Sequence, residues 1–248
     1  MISRKKKKGT PRTFWEHYHK IVDLCYDGNE ELLEKINVFG SEEQQQRLFT
    51  VANIPQKYFK FDYNEIIETI ALDIDNQTAV NSIKTYYKSL QKAADQGIGL
   101  YIHGPHGVAK TTITTLILKK AVNLYFRCFF WKSSDIIEFI RSGWKNENRR
   151  RFFDYVVNTV DFLVIDDIVR LFSEYKEAAA EKLYIDKIFI KRDDMNLSTI
   201  ITSNVGLDAI QEQMGPALYS NFRERLIDVE VRGDDFRDSI GNQLLNKL

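Results

Sequence analysis

The sequence predicts an α/β protein in which a parallel sheet is wrapped by helices. Three observations carry that expectation. From Gly99 onward, short apolar runs alternate with amphipathic stretches of helical period, the pattern of successive strand–helix–strand crossovers. The first run, Leu100-Tyr101-Ile102-His103, leads straight into Gly104-Pro105-His106-Gly107-Val108-Ala109-Lys110-Thr111-Thr112, a glycine-bearing loop that opens a helix. A later run, Phe162-Leu163-Val164-Ile165, is continuously apolar, as a strand buried on both faces is, and ends in Asp166-Asp167. Parallel crossovers are right-handed and leave ligands at the carboxyl ends of the strands.

The elements follow in order. Arg4-Lys5-Lys6-Lys7-Lys8 reads as a solvated tail, with contact to a phosphate backbone as the alternative. Phe14, Tyr18, Ile21, Val22 and Cys25 keep helical spacing until Asp27-Gly28-Asn29 breaks it. Two more short helices are expected at Glu31–Val38 and Glu42–Val51, so residues 1–53 form a basic tail and a small helical module. Ile54-Pro55 marks the connection to a second domain, 54–248, and Tyr58-Phe59-Lys60-Phe61 follows without helical period. Val80, Ile83, Tyr87, Leu90 and Ala94 describe one amphipathic helix, stopped by Gly97. Strands are expected at Gly99–His103, Tyr125–Trp131, Phe162–Asp166, Ser198–Ser203 and Asp228–Val231. Helices are expected at Lys110–Asn123, Asp135–Ser142, Arg149–Asn158, Ala178–Lys191, Leu207–Met214 and Leu218–Leu226.

Composition sets the outer bounds. The 248 residues suffice for one substantial domain with an appendage. Hydrophobic and charged contents of 44% and 28% are those of an ordinary globular protein. Net charge is zero, so any nucleic-acid site must be a local patch. No apolar run is long enough for a bilayer and none follows the basic start, so neither membrane span nor signal peptide is expected. Two cysteines, Cys25 and Cys128, fit a reducing cytoplasm. His17, His19 and Cys25 lack a Cys-x-x-Cys pair, and no zinc site is expected from them.

The chemistry sits at the strand ends. Residues 104–112 have the layout of a P-loop, whose backbone N–H groups wrap phosphates while a lysine reaches the β/γ-phosphates and a hydroxyl holds Mg²⁺. A purely structural turn is the bland alternative. Ala109 stands where the pattern has glycine, adding a methyl near the phosphate. Asp166 suits support of Mg²⁺, and Asp167 suits polarisation of an attacking water. Asn204, closing Ser198-Thr199-Ile200-Ile201-Thr202-Ser203, suits orientation of that water or, alternatively, an N-cap for the next helix. Arg223 and Arg225 in Asn221-Phe222-Arg223-Glu224-Arg225-Leu226 suit charge stabilisation in a neighbouring subunit, or simply a surface helix with Arg–Glu pairs.

Together these motifs resemble the AAA+ ATPases, and more narrowly the DnaC/DnaI/IstB-like group of helicase loaders and transposition helpers. The resemblance spans Ile54 to Arg237 and includes the paired acids after Leu163-Val164-Ile165 and the segment Gly233-Asp234-Asp235-Phe236-Arg237. It implies a three-layer αβα sandwich without a C-terminal lid domain. It implies ATP and Mg²⁺ as cofactors: Gly104 to Thr112 for the nucleotide, Thr111 and Asp166 for the metal, and Asp167 and Asn204 for hydrolysis. Arg225, with Arg223 as the close alternative, is implied as the arginine finger, and Arg237 as a sensor on the γ-phosphate. The minichromosome-maintenance group also carries alanine before the P-loop lysine, so ATP binding is expected to survive Ala109. No Asn-Lys-x-Asp segment argues for guanine.

Between the second strand and the acidic one lie Arg141, Trp144, Lys145, Arg149, Arg150, Arg151, Phe152 and Phe153. Basic groups interleaved with rings suit a single strand, the cations on phosphates and the rings on bases; a solvated helical face is the alternative. The function expected is an ATP-dependent replication factor that loads a replicative helicase onto single-stranded DNA as a homo-oligomer. Its alternatives are a transposition helper that recruits a transposase on duplex DNA, and a non-hydrolysing nucleotide-gated adaptor.

Overall fold

The computed structural model describes residues 41–142, 147–173, 179–211 and 216–235. The helices expected between Phe14 and Val38, the histidines and cysteine near them, Lys145 and Arg237 lie outside those residues. Helix α1 is Ser41–Val51, α2 Tyr63–Ala71, α3 Gln77–Lys88 and α4 Leu90–Gln96. Then come β1 (Gly99–His103), α5 (Lys110–Asn123), β2 (Cys128–Lys132), α6 (Ser133–Arg141), α7 (Glu147–Thr159), β3 (Phe162–Asp166) and α8 (Ile168–Ser173). Helix α9 (Ala179–Asp194), β4 (Ser198–Ser203), α10 (Pro216–Arg225) and β5 (Leu226–Glu230) complete the order.

The five strands form one parallel sheet in the order β2-β3-β4-β1-β5. Alternate residues of each strand feed different cores, as a period of two requires. Leu100, Ile102, Phe130, Val164 and Ile200 face a cluster completed by α1 to α5. Tyr101, Trp131, Leu163, Ile165 and Ile201 face a second cluster completed by α6, α7 and α9. The result is the expected three-layer sandwich. Leu48, Phe49 and Ala52 belong to the first cluster, and Ala52 O accepts from Phe130 N across 2.8 Å, so α1 and the residue after it are built onto the sheet edge.

Several elements differ from expectation for local reasons. The helix expected over Val80 to Ala94 is two, because Ser89 (φ −110°, ψ 24°) leaves the helical region between α3 and α4. Helix α2 was not anticipated; Asp62 caps it by accepting from Asn64 N and Glu65 N, and Ile66, Ile67 and Ile70 bury its inner face. The second strand begins at Cys128 because Tyr125 holds a left-handed φ of 62°. The last strand begins at Leu226, paired with Gly99, not at Asp228. The helix expected over Leu207–Met214 opens with a 3₁₀ turn, Leu207–Ile210, and residues 212–215 lie outside the described ones.

The amino end of the sheet is held by a buried cation. Arg192, 1% exposed, donates to the carbonyls of Val156, Val157 and Val160, which end α7, and to Thr199 Oγ1 and Ser198 O at the start of β4. Burial draws its pKa down to about 9, opposed by Asp161 and Tyr86, and leaves it cationic at neutral pH.

Candidate nucleotide site

Strand order places a crevice between β1 and β4, whose onward connections leave in opposite directions. The loop after β1 fills it. Gly104 (φ 145°) and Gly107 (φ 84°) adopt conformations closed to L side chains. A Cβ on Gly104 would lie 1.9 Å from Val231 O, and one on Gly107 would lie 2.1 Å from the Asp235 carboxylate. Close approach of the backbone leaving β5 thus requires glycine at Gly104, whereas at Gly107 the positive φ is the constraint, since the Asp235 side chain is exposed and can move. Val108 is buried in the first core and anchors the loop, while Pro105 and His106 are exposed.

Ala109, the N-cap of α5, holds φ 63° and ψ 17°. The reason for glycine at this position is thus backbone conformation as well as room for phosphate. An L residue in the left-handed region costs about 1–2 kcal/mol. Lys110 is buried, and its Nζ donates to Gly104 O at 2.6 Å and to Pro105 O.

Asp166 ends β3 opposite the loop. Its Oδ1 accepts from Thr111 Oγ1 and from Thr202 Oγ1, each at 2.8 Å. Thr202 Oγ1 also accepts from Asp167 N at 2.9 Å. Burial raises the Asp166 pKa; the hydroxyls of Thr202 and Thr111 pull it back, Asp167 pushes it up and Lys132 draws it down. Asp167 itself sits at φ 63°. Left-handed backbone thus recurs at Gly104, Gly107, Ala109 and Asp167 around one crevice.

These residues line one cavity of about 600 Å³, with Gly107, Ala109, Lys110, Thr111 and Thr112 on one side and Asp166, Asp167, Thr202, Ser203 and Asn204 on another. Lys57, Tyr58, Lys60 and Phe61 form a further wall, and Lys132 stands beside Asp166. The donor set fits a triphosphate with Mg²⁺: a hydroxyl and a carboxylate, both hard oxygen donors, meet at one point in a hydrogen bond, and Lys110 and the P-loop amides offer positive charge. Among the described residues no cluster of three or more His, Cys, Asp or Glu could hold a metal by itself.

Asn204 lines the cavity, but it does not cap the following turn; Gly206 occupies that position without a side-chain bond, and Ser203 Oγ accepts from Val205 N. Arg225 lies at the amino ends of the strands, away from the P-loop, where Nη1 donates to Gln96 O at 2.8 Å and Nε lies 3.3 Å from Asp193. Arg223 is exposed on the same helix. Within one chain neither arginine joins Asp166.

In the basic segment, Arg141, Arg150 and Arg151 are exposed, and Arg151 pairs with Glu147. Arg149 lies over the Phe139 ring, 4.6 Å from its centroid. Phe152 and Phe153 are buried in the second core, so the expectation that they stack on bases is not met. Helical period turns them inward with Val156 and Val157, while Arg150 and Arg151 face out.

Sequence reasoning assigned no role to Thr202, Lys57, Lys60 or Lys132. Thr202 had a signal, a hydroxyl at the carboxyl end of a buried strand. The lysines had none, because the approach of residues 57–61 to α5 and the β2–β3 register that sets Lys132 opposite Asp166 are both tertiary.

The family model for the IstB-like ATP binding protein (IstB_IS21) matches residues 28–239. The chain belongs to the IstB-like ATP-binding family. The crystal structure of DnaI is similar to this IstB-like chain with a TM-score of 0.56 and 17% identity, covering 72% of this chain and 95% of DnaI. The DnaC helicase loader is similar with a TM-score of 0.52 and 20% identity, covering 64% of this chain and 92% of that one. The replication initiator DnaA bound to AMPPCP and single-stranded DNA is similar with a TM-score of 0.54 and 19% identity over 69% of this chain; the match spans 51%, about half, of the DnaA chain. At these identities the likeness is one of fold. No curated protein sequence matches the chain. Among the described residues no helix is long and apolar enough to cross a membrane.

Proposed function

We propose that this IstB-like protein is a weak, DNA-stimulated ATPase of replication that loads a replicative helicase onto single-stranded DNA. The observation that carries the reading is the convergence of Thr111 and Thr202 on one oxygen of Asp166, beside Lys110 in the same cavity. On nucleotide binding, Lys110 Nζ exchanges the carbonyls of Gly104 and Pro105 for phosphate oxygens. Thr111 and Asp166 would hold Mg²⁺, which neutralises phosphate charge. Asp167 and Asn204 orient and polarise the attacking water.

Arg225 or Arg223 of a second copy would supply charge at the γ-phosphate, and Arg237 of the same copy a further contact. The placement of Arg223 and Arg225 away from the chain's own P-loop supports a homo-oligomer assembled by ATP and released by hydrolysis. Arg141, Lys145, Arg149, Arg150 and Arg151 would meet DNA phosphates, and the part of residues 1–53 that precedes α1 would meet the helicase, since α1 itself packs with the ATPase core that continues through 54–248. The likeness to a helicase loader and to an initiator bound to single-stranded DNA supports this choice.

The family match itself favours a second reading, a transposition helper that assembles on duplex DNA and recruits a transposase. Pull-down against a replicative helicase, with filament formation on duplex DNA measured in parallel, separates the two. Helicase capture is expected; filaments on duplex DNA without capture would replace loading by transposition. Wild-type protein on single-stranded DNA should hydrolyse ATP faster than Lys110→Ala; equal rates would leave only a nucleotide-gated adaptor.

A further inference from the structure

The wall facing the P-loop has little structure of its own. Residues 56–61 contain a single 3₁₀ turn, Gln56–Tyr58, and its internal bonds run from Tyr58 N to Pro55 O, Phe59 N to Gln56 O and Phe61 N to Tyr58 O. It nevertheless brings Lys57, Tyr58, Lys60 and Phe61 to the nucleotide cavity, with the Tyr58 and Phe61 rings 6.1 Å apart. What ties it down is a side chain from elsewhere. Lys119 Nζ donates to Phe59 O at 2.8 Å and to Phe61 O at 2.9 Å. The same ammonium lies 5.5 Å from the centroid of Phe49, whose ring meets Phe59 edge-on. Burial lowers the Lys119 pKa, with Asp62 opposing, so the site spends desolvation on a cation that touches no phosphate-binding residue. Lys119 belongs to α5, the helix that begins with Lys110.

We propose that Lys119 is a positioning residue of the nucleotide site: it clamps the wall carrying Tyr58 and Phe61 to the helix that begins the phosphate cradle. The clamp sets the span between the cradle and the rings of Tyr58 and Phe61, against which the nucleobase of a bound nucleotide would pack. This rests on the nucleotide reading above. Its consequence is selective, because binding of a whole nucleotide depends on Lys119 whereas binding of the phosphate chain alone does not.

The test uses the full chain with Mg²⁺, titrated with ATP and with inorganic tripolyphosphate, in wild type, Lys119→Met and Lys119→Arg. Lys119→Met is expected to weaken ATP about tenfold, the worth of one charge-assisted bond, and to leave tripolyphosphate unchanged. Lys119→Arg, whose donors reach the same carbonyls, restores most of the loss. Equal weakening of both ligands, or unchanged ATP binding, would overturn the clamp. Lys119→Gln takes the place of Lys119→Met if circular dichroism shows the latter unfolded. Wild-type protein that binds neither ligand would instead remove the nucleotide reading. Wild-type protein that binds both equally would keep the phosphate site and remove the clamp.

Discussion

The two ends of β4 hold charges of opposite kind, a buried cation at one and a half-buried carboxyl at the other. At its amino end Arg192 meets four carbonyls and a hydroxyl, so each of its guanidinium nitrogens is engaged. At its carboxyl end Thr202 reaches Asp166, whose carboxyl has two hydroxyl donors on one oxygen and faces an open cavity. A buried cation with every nitrogen engaged is a fastener. A half-buried anion held by neutral hydroxyls at the rim of a cavity is only partly compensated, and it keeps capacity for a cation. The same strand thus carries stability at one end and chemistry at the other.

Arg192→Ala should break the comparison from the stable end. It strands dry carbonyls at the end of α7 and opens a cavity, with an expected loss of about 3–5 kcal/mol in urea unfolding. Arg192→Lys, with fewer donors, should fall between. A loss below about 1 kcal/mol would mean that water replaces the guanidinium. From the other end, Lys110→Ala should weaken ATP binding by about 10–100-fold, from loss of a charge-assisted bond. The urea midpoint should scarcely move, in contrast to Arg192→Ala.

Asp166→Asn sharpens the contrast through pH. A carboxyl whose folded pKa lies above its unfolded value binds its proton more tightly in the folded state. It therefore costs stability above both values and nothing below the unfolded one, near pH 4. Without nucleotide, Asp166→Asn should melt higher than wild type at pH 7, and the gap should close towards about pH 4. A gap that is constant with pH would show that the carboxylate is better compensated than its surroundings indicate. The smallest effect belongs to Ala109→Gly, which relieves left-handed backbone and should stabilise the fold by about 1 kcal/mol or less after the entropy of glycine is counted. Thermal melts of the two proteins measure it, and a drop in midpoint would show that the Ala109 methyl packs more usefully than the strain costs.

Much of the site was legible because its signals are local. A strand, a glycine loop and a lysine form one continuous stretch, and Asp166 closes a run whose period and length identify a buried strand. The strand break at Tyr125 and the helix break at Ser89 were not legible, since each depends on one residue's backbone angles within an otherwise continuous pattern. Phe152 and Phe153 misled for a related reason. Adjacency to arginines in the sequence says nothing about which face of a helix is turned inward, and α7 buries its rings and exposes Arg150 and Arg151.

By itself the sequence determined the α/β alternation, the P-loop and the acidic strand end, because backbone period and glycine content act within a few residues. Only the tertiary structure decided that Thr202 shares Asp166 with Thr111, that Arg192 joins α7 to β4 and that Lys119 ties residues 59 and 61 to α5. Each of those links crosses between elements. Its partner is chosen by which helix packs on which face of the sheet, and no local pattern encodes that choice.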